Sequence, residues 1–226
     1  MEPSVNEVRP LGWMVSPYSD DGSGRASLVL WKAFREPRLA CSSAIVGGGL
    51  LEVNWVINAT VAVDYRLPDP VSHARSIAQE VHLEGEGACL LTAVDVSANA
   101  RWGSEDEVMV MATAGISQMG WAARPIDADA DTPRQGTINI VVELPVPMSH
   151  GALVNMVMTA TEAKAQYFAE TGRSGTGTPT DAVVVLCPRG PVSVDGLYGG
   201  PKSRWGSVAA RAVLAALHAR DRDIDR

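Results

Sequence analysis

Two predominantly apolar segments constrain the fold of this chain more than any other feature of its sequence. They are residues 108–114 (VMVMATA) and 137–144 (TINIVVEL), and each stays apolar along most of its length. Such segments are typical of strands that other layers cover on both sides. Five further segments have the branched and apolar composition of strands, at residues 27–34, 40–46, 52–62, 88–95 and 182–186. The sequence therefore predicts a covered sheet built from both halves of the chain.

Three helices are predicted, and they do not alternate strictly with the strands. Asp69 and Pro70 mark the first helix start, because aspartate accepts hydrogen bonds from free amides and the fixed φ of proline suits the first helical position. This helix extends to about residue 81, and the other two lie late, at residues 151–169 and 207–220. The order predicts an α+β, or mixed α/β layered, domain in which helices cover a mixed sheet.

Length and charge narrow the class of protein. The 226 residues, 46% of them hydrophobic, suit a single domain over 1–226, with a loose N-terminal segment 1–10 and a fraying tail 221–226. A net charge of −7 without a basic cluster argues against a nucleic-acid partner. No stretch approaches the roughly 20 apolar residues that span a bilayer, and no basic and apolar leader is present. We therefore expect a cytoplasmic protein without a membrane partner, and a homo-oligomer stays open.

Cofactor and metal motifs are missing from the sequence. Cys41, Cys89 and Cys187 lack CxxC spacing, and the four histidines form neither HxH nor HExxH, so a histidine metal site would need distant segments. Neither a Walker loop nor a dinucleotide fingerprint occurs. The acidic segment 127–135 matches a calcium loop poorly and is expected to be an exposed loop. The prediction is therefore no metal and no cofactor.

The helix predicted at 151–169 carries a lysine on its apolar side. Lys164 falls in the middle of that stripe, so its amine must reach solvent, find a carboxylate partner or lose its charge. Thr161 lies one turn earlier and repeats the spacing of a Ser-x-x-Lys pair, in which a lysine helps to activate a hydroxyl. The alternative is that Lys164 pairs with a structural carboxylate while Thr161 bonds to a helix carbonyl. Glu162 lies on the polar side, where it is solvated or, if that side borders a cleft, acts as a general acid or base.

The loop after this helix is the second polar feature. Residues 172–181 contain three glycines and three threonines and lead into the strand at 182–186. Glycines permit close backbone approach, so the loop can aim N–H groups at an oxyanion, with Thr178, Thr180 and Asp181 as polar contacts. The alternative is a turn whose hydroxyls satisfy its own backbone. Because Glu162 turns away from Lys164, we expect Lys164 and the loop, rather than the whole helix motif, to share one site.

The chain resembles the adenosylcobinamide amidohydrolase family from about residue 39 to residue 217. The specific matches are the segments 161–164 (TEAK) and 176–181 (TGTPTD). Weaker matches, in the family's order, are Ser42, Ser43 and Ala44 with the glycines 47–49, Asn58 with Tyr65, Asp69 and Pro70, and the segments 91–93, 113–115 and 136–139.

The resemblance implies an amidohydrolase that cleaves the amide between a corrin propionate side chain and aminopropanol, giving adenosylcobyric acid for cobamide salvage. The corrinoid is then a substrate and not a cofactor. The nucleophile, water or a threonine, stays open. The implied catalytic residues are Lys164, Glu162, Asp181 and Thr161, and the implied substrate-binding residues are Ser42, Ser43, Asn58, Asn139, Thr176, Thr178 and Thr180.

Two departures from the family pattern bear on substrate choice. Ile116, Ser117 and Gln118 stand where the family tends to carry an asparagine, and the segment 200–206 lacks a threonine-containing pattern. Two alternatives to catalysis by this site are a corrinoid-binding protein without turnover and an amidase that exposes an N-terminal threonine by self-cleavage. Trp102, Trp121 and Trp205 either stack on a ligand or pack in the core.

Overall fold

The chain forms one mixed sheet with helices on its outer faces. The structure is a computed structural model and describes residues 7–117, 119–123 and 136–224. Within these residues nine strands form the sheet, at β1 Glu7–Val8, β2 Met14–Tyr18, β3 Ser27–Ser42, β4 Gly49–Thr60, β5 Gly87–Thr92, β6 Arg101–Glu105, β7 Val108–Gly115, β8 Thr137–Glu143 and β9 Ala182–Pro188. The α-helices of this part of the chain are α1 Pro70–Glu80, α2 Val96–Asn99, α3 His150–Glu170 and α4 Arg204–Ile224.

Strand β3 connects the two halves of the sheet. It is 16 residues long, and β4 pairs with it antiparallel along both of its ends. Its first part also pairs with β2, whereas Arg38–Ser42 pairs with β9. The pairing of β3 with β4 shifts between Ala33 and Arg38, where a β-bulge takes up Pro37. Proline has no N–H to donate to a ladder, and a bulge accommodates it. The two strands predicted at 27–34 and 40–46 are therefore one strand, and that boundary was wrong.

The sheet halves pack face to face, which gives four layers. The interior between the halves contains Leu30 and Val56 from one half and Met111, Val141 and Leu186 from the other. Neighbouring positions along β7, β8 and β9 point outward against α3 and α4, and the outer side of β4 packs against α1. This alternation is the two-residue period of strands. The predicted single α+β domain with a mixed sheet covered by helices is confirmed.

Several short elements escaped the sequence-based prediction. Strands β1, β2 and β6 and helix α2 were missed, and β1 lies within the segment predicted to be loose at 1–10. Helix α4 begins before residue 207 and continues to Ile224, into the predicted tail at 221–226. The acidic segment 127–135 lies outside the described residues. No helix in the described part of the chain is long and apolar enough to cross a bilayer.

Helix α3 follows the prediction closely. Ser149 accepts a hydrogen bond from the Ala152 amide at 3.1 Å and caps the start of the helix. The predicted stripe is largely buried, and Lys164 is buried with it at 5% exposure. The loop after α3 then leads into β9, which lies in the half of the sheet that α3 covers. This connection brings the end of α3 and the start of β9 together.

Candidate active site

An open cavity of about 650 Å³ lies where the second half of α3 faces the loop before β9. Both polar motifs singled out in the sequence contribute to its wall, together with the short segment 119–122. The lining residues are Met119, Gly120, Trp121, Ala122, Thr161, Glu162, Lys164, Ala165, Thr176, Gly177, Thr178, Pro179 and Asp181.

An ion pair between Lys164 and Asp181 lies in this wall. The Lys164 ammonium donates to Asp181 Oδ2, and the two side chains are only 7% and 11% exposed. Removing two charges from water is costly unless each keeps its partner and further hydrogen bonds. Of the three outcomes that the sequence left open for Lys164, the structure shows the second, a carboxylate partner, which lies 17 residues further along the chain.

The Asp181 carboxylate is held by four donors. Oδ2 accepts from Lys164 and from the Thr178 amide, the latter at 3.0 Å. Oδ1 accepts from the Thr178 hydroxyl and from the Ile138 amide, the latter at 2.9 Å. A carboxylate whose two oxygens are both engaged has one fixed orientation. Asp181 therefore fixes Lys164, the loop and the start of β8 to one another.

Gly177 passes directly over the ion pair. A Cβ at this position would lie 2.6 Å from Asp181 Oδ2 and 2.8 Å from Lys164 Nζ. The loop is tied to the opposite wall, because the Gly120 amide donates to the Gly177 carbonyl at 3.0 Å and the Thr176 amide donates to the Gly120 carbonyl at 2.9 Å. The glycine therefore permits the close backbone approach that the sequence indicated.

Thr161 and Glu162 border the same cavity, and only Thr161 makes a side-chain hydrogen bond among the described residues. The Thr161 hydroxyl donates to the Val157 carbonyl at 2.9 Å, as in the alternative interpretation, while Lys164 pairs with Asp181. Glu162 is exposed, and no hydrogen bond or ion pair of the described residues involves it. Glu162 lies on the exposed side of the helix, as predicted, and that side borders the cavity, which is the condition under which the sequence allowed it an acid or base role.

The adenosylcobinamide amidohydrolase family matches residues 16–221, which is most of the chain. The chain belongs to this family. It is accordingly a hydrolase that acts on an amide bond.

Two relatives carry the family's name. The adenosylcobinamide amidohydrolase of Methanosarcina mazei is 28% identical over 181 residues, which cover 77% of this chain and 86% of that protein. The protein of the same name from Halobacterium salinarum is 36% identical over 142 residues, covering 58% of this chain and 59% of its own length.

Two solved structures share a general likeness with the chain. A β-aminopeptidase of a Burkholderia species has a TM-score of 0.47 at 12% identity, with 96% of this chain and 88% of that chain covered. A protein of Pyrococcus horikoshii has a TM-score of 0.46, with the same identity and coverage.

The amidohydrolase places Ser42 and Ser43 beside the strand that follows Asp181. Ser42 is buried, and its hydroxyl accepts from the Ala44 amide at 3.0 Å. The Ser43 hydroxyl accepts from the Val183 amide at 3.0 Å. Neither serine lines the cavity. Their geometry stabilises the turn after β3, and their predicted substrate contact stays a prediction.

Asn58 and Asn139 lie between the two sheet halves of the amidohydrolase. Both are 0% exposed. The Asn139 amide donates to Asn58 Oδ1 at 2.8 Å and to the Leu91 carbonyl at 3.0 Å, and the Asn58 amide donates to the Thr113 hydroxyl at 2.9 Å. Neither asparagine lines the cavity, so in this conformation they join the two layers. Contact with a substrate stays a prediction for both.

The loop threonines divide between cavity and strand. Thr176 and Thr178 line the cavity. Thr180 does not; its hydroxyl bonds to the Thr137 hydroxyl at 2.6 Å and to the Gly136 carbonyl at 3.1 Å. Both partners of Thr180 lie outside the turn, so these bonds connect the turn to the start of β8 and do not satisfy its own backbone, as the alternative interpretation required.

Of the three tryptophans considered as ligand contacts, one lines the cavity and two pack elsewhere. Trp121 lines the cavity and is 55% exposed, whereas Trp102 packs on Trp13 with ring centroids 6.1 Å apart and Trp205, in the first turn of α4, is buried in the core. Trp121 is therefore the tryptophan placed to meet a ligand at this cavity.

One of the two segments that depart from the family pattern borders a different cavity. Gly200 and Ser203 border a separate cavity of about 600 Å³, together with Asn155 and Tyr198. Gln118 lies outside the described residues, and neither Ile116 nor Ser117 lines the cavity over the ion pair. None of the described residues of these two segments therefore lines the cavity that contains the Lys164 and Asp181 pair.

Proposed function

We propose that this protein hydrolyses the amide bond between a corrin propionate side chain and aminopropanol in adenosylcobinamide. The products are adenosylcobyric acid and free aminopropanol, and the reaction serves corrinoid salvage in the cytoplasm. Family membership supports the reaction class. The observation that carries the proposal is the largely buried Lys164 and Asp181 pair in the wall of an open cavity, which Glu162, without a partner among the described residues, also lines.

Lys164 is suited to stabilise the charge that develops on the amide oxygen. An ammonium group has three N–H donors, and Asp181 takes one of them. A donor aimed at a developing oxyanion in a site of low dielectric is worth about 3–4 kcal/mol of transition-state stabilisation. Asp181, held by four donors, keeps the lysine in place during the reaction.

Glu162 is suited to move the proton that the leaving amine requires. Cleavage of the C–N bond is feasible only when the nitrogen gains a proton, since an amide anion is a poor leaving group. Glu162 borders the cavity and has no partner among the described residues, so it is free to approach the substrate. Thr161 borders the same region and positions the reacting side chain.

The open shape of the cavity suits a large substrate that inserts only its reacting arm. The propionamide side chain enters over the ion pair, and the macrocycle stays at the mouth. Trp121, which is 55% exposed in the cavity wall, presents an apolar ring face to it. This arrangement fits an enzyme that recognises a bulky corrinoid by its surface and cleaves one exposed arm.

Incubation of the purified full chain with adenosylcobinamide in the dark tests the proposal. Mass spectrometry after liquid chromatography should detect adenosylcobyric acid and aminopropanol in equal amounts. The variant Lys164→Met should lower kcat at least about 100-fold, because the oxyanion loses its donor. Lys202→Met, which changes an exposed lysine away from the cavity, should match the wild type.

Other outcomes separate the alternatives. No product with any corrinoid amide contradicts the proposal. Tight binding of an unchanged corrinoid would instead support a binding protein without turnover. Two fragments, in place of one intact mass, would support activation by self-cleavage before a threonine.

A further inference from the structure

We infer that Thr178 is the nucleophile of this amidohydrolase, so that the reaction passes through an ester between Thr178 Oγ1 and the propionate carbonyl. The inference rests on the function proposed for the cavity. It assigns the attacking atom, which neither the family match nor the residue pattern specifies.

The Thr178 hydroxyl is held by the carboxylate of Asp181. It donates to Asp181 Oδ1, while the Thr178 amide donates to Oδ2 of the same group at 3.0 Å. Backbone and side chain of one residue are thus fixed to one carboxylate. Pro179 follows directly and restricts the backbone of Thr178 to extended conformations. The hydroxyl is therefore oriented before a substrate arrives.

Within the part of the chain that the structure describes, the other threonine hydroxyls near the cavity have no acid or base partner. The Thr161 hydroxyl donates to a helix carbonyl, and Thr180, outside the lining, bonds to the Thr137 hydroxyl and the Gly136 carbonyl. Thr176 lines the cavity, and no hydrogen bond of the described residues engages its hydroxyl. Thr178 is the cavity-lining threonine whose hydroxyl donates to a carboxylate, the arrangement that an activated oxygen nucleophile requires.

Lys164 completes the arrangement on the other oxygen of the same carboxylate. The hydrogen-bonded order is Thr178 hydroxyl, Asp181, Lys164 ammonium, with the first and last groups both in the cavity wall. A substrate carbonyl lying between them would meet the attacking oxygen on its carbon and the cation on its oxygen. That is the placement of nucleophile and oxyanion donor in acyl transfer.

The two half-reactions balance as follows. Oγ1 of Thr178 bonds to the carbonyl carbon as its proton moves to Asp181, and the carbonyl oxygen becomes an oxyanion beside Lys164. The C–N bond then breaks, and the nitrogen leaves as the amine of aminopropanol with a proton delivered by Glu162 or Asp181. Water next adds to the ester, the bond between Oγ1 and the carbon breaks, and Thr178 regains its proton as the carboxylic acid is released. The sum is amide plus water giving acid plus amine.

Substitution of Thr178 and trapping of the ester test the inference together. Thr178→Ala should lower kcat about 10³-fold or more, whereas Thr178→Ser, which keeps an oxygen, should stay within about 10-fold of the wild type. Acid quenching of the wild type during turnover should add the mass of the corrinoid acyl group to the peptide that contains Thr178. Circular dichroism of each variant checks that it is folded.

Ser72 provides a matched control. Its hydroxyl donates to Asp69 Oδ2 at 2.6 Å and its amide to Asp69 Oδ1 at 2.9 Å, the same pair of bonds at the start of α1, outside the cavity lining. Ser72→Ala should leave kcat unchanged. A general acylating ester, p-nitrophenyl acetate, tests the hydroxyl without a corrinoid, since an activated Thr178 should be acetylated and a merely structural one should not.

The results distinguish a failure of the Thr178 nucleophile from a failure of the proposed amidohydrolase function. Wild-type turnover with no acyl-enzyme and an active Thr178→Ala variant overturns the nucleophile and leaves the amidohydrolase function standing. Acetylation of Thr178 without turnover of any corrinoid amide supports the nucleophile and overturns the substrate. Absence of both turnover and acetylation overturns both.

Discussion

At the scale of single residues, Gly177 shows how little room the candidate site leaves. Its α-carbon lies so close to the ion pair that a methyl group would contact Asp181 Oδ2 and Lys164 Nζ at once. Both of those atoms end side chains that are largely buried and hydrogen bonded, so neither can move without losing a bond. The position therefore links the loop backbone directly to the geometry of the charges.

Gly177→Ala should lower activity much more than stability. We expect kcat to fall about 10²-fold, because displacements near 1 Å in a positioned site have effects of that size. The free energy of unfolding should change by less than about 2 kcal/mol, since the displaced atoms are side-chain ends. Steady-state kinetics and urea denaturation measure the two effects. In Gly151→Ala, an exposed position with no atom within 4 Å of the new methyl, both should stay near the wild-type values; an equally active Gly177→Ala would contradict the proposed site.

Glu143 predicts a pH dependence of stability far from the site. Burial raises the pKa of this carboxyl above its usual value, although the Lys32 ammonium at 2.8 Å and Arg38 oppose the shift. The folded state therefore binds this proton more tightly than the unfolded state does. The stability due to Glu143 is complete below its unfolded pKa and is lost as pH rises through the raised pKa.

The wild type should accordingly lose stability relative to Glu143→Gln as pH rises from about 4.5, the ordinary value for glutamate, through the raised pKa. Urea denaturation of both proteins across that window measures the difference. Glu84→Gln, at an exposed position, is the control for the removal of one glutamate carboxylate. A wild type that gains stability relative to Glu143→Gln as pH rises would contradict the assigned direction.

At the scale of elements, the sequence predicted the strands and helices that have their own apolar period, and it missed elements that are stabilised mainly by packing against a neighbouring element. Strands β7 and β8 and helix α3 carry their own apolar patterns. Strand β6 has no apolar pattern of its own and contains Gly103. Its packing against α4 explains the glycine, because a Cβ at residue 103 would lie 2.2 Å from the Ala212 carbonyl oxygen. The same holds for the candidate site. The helical period of α3 predicts that Lys164 lies on its buried face, but the pairing of Lys164 with Asp181 depends on how the following loop folds against the helix.

Gly103→Ala should destabilise the contact between β6 and α4. The new methyl meets backbone on a buried helix, which cannot shift as a side chain can, so we expect a loss of about 1–3 kcal/mol in the free energy of unfolding. Thermal and urea denaturation measure it. Gly200→Ala, where no atom lies within 4 Å of the added methyl, is the control and should unfold like the wild type. Equal stability of the two variants would mean that β6 and α4 are not so closely packed.

At the scale of the whole molecule, a polar group joins two apolar layers. Asn58, Thr113 and Asn139 are all 0% exposed and bond to one another across the interior between the sheet halves. Polar atoms in such a place are costly unless they keep their partners. The group therefore fixes the register of one layer on the other.

Asn58→Ala should destabilise the protein while leaving substrate affinity unchanged. Thr113 and Asn139 each lose a buried partner, for which we expect a loss of about 2–3 kcal/mol. Urea denaturation and KM for adenosylcobinamide, taken at a temperature where the variant is folded, separate the effects. A raised KM with unchanged stability would instead support the direct substrate contact that the residue pattern implies for Asn58.

The long strand shared by both halves of the sheet has a consequence for synthesis of the protein on the ribosome. The end of β3 pairs with β9, and Ser43 meets Val183 140 residues later. At about 5–20 residues per second, roughly 7–28 s pass before the partner strand is made. During that interval the nascent chain carries an open β-edge that can pair with other chains, so slower translation should increase its dependence on chaperones.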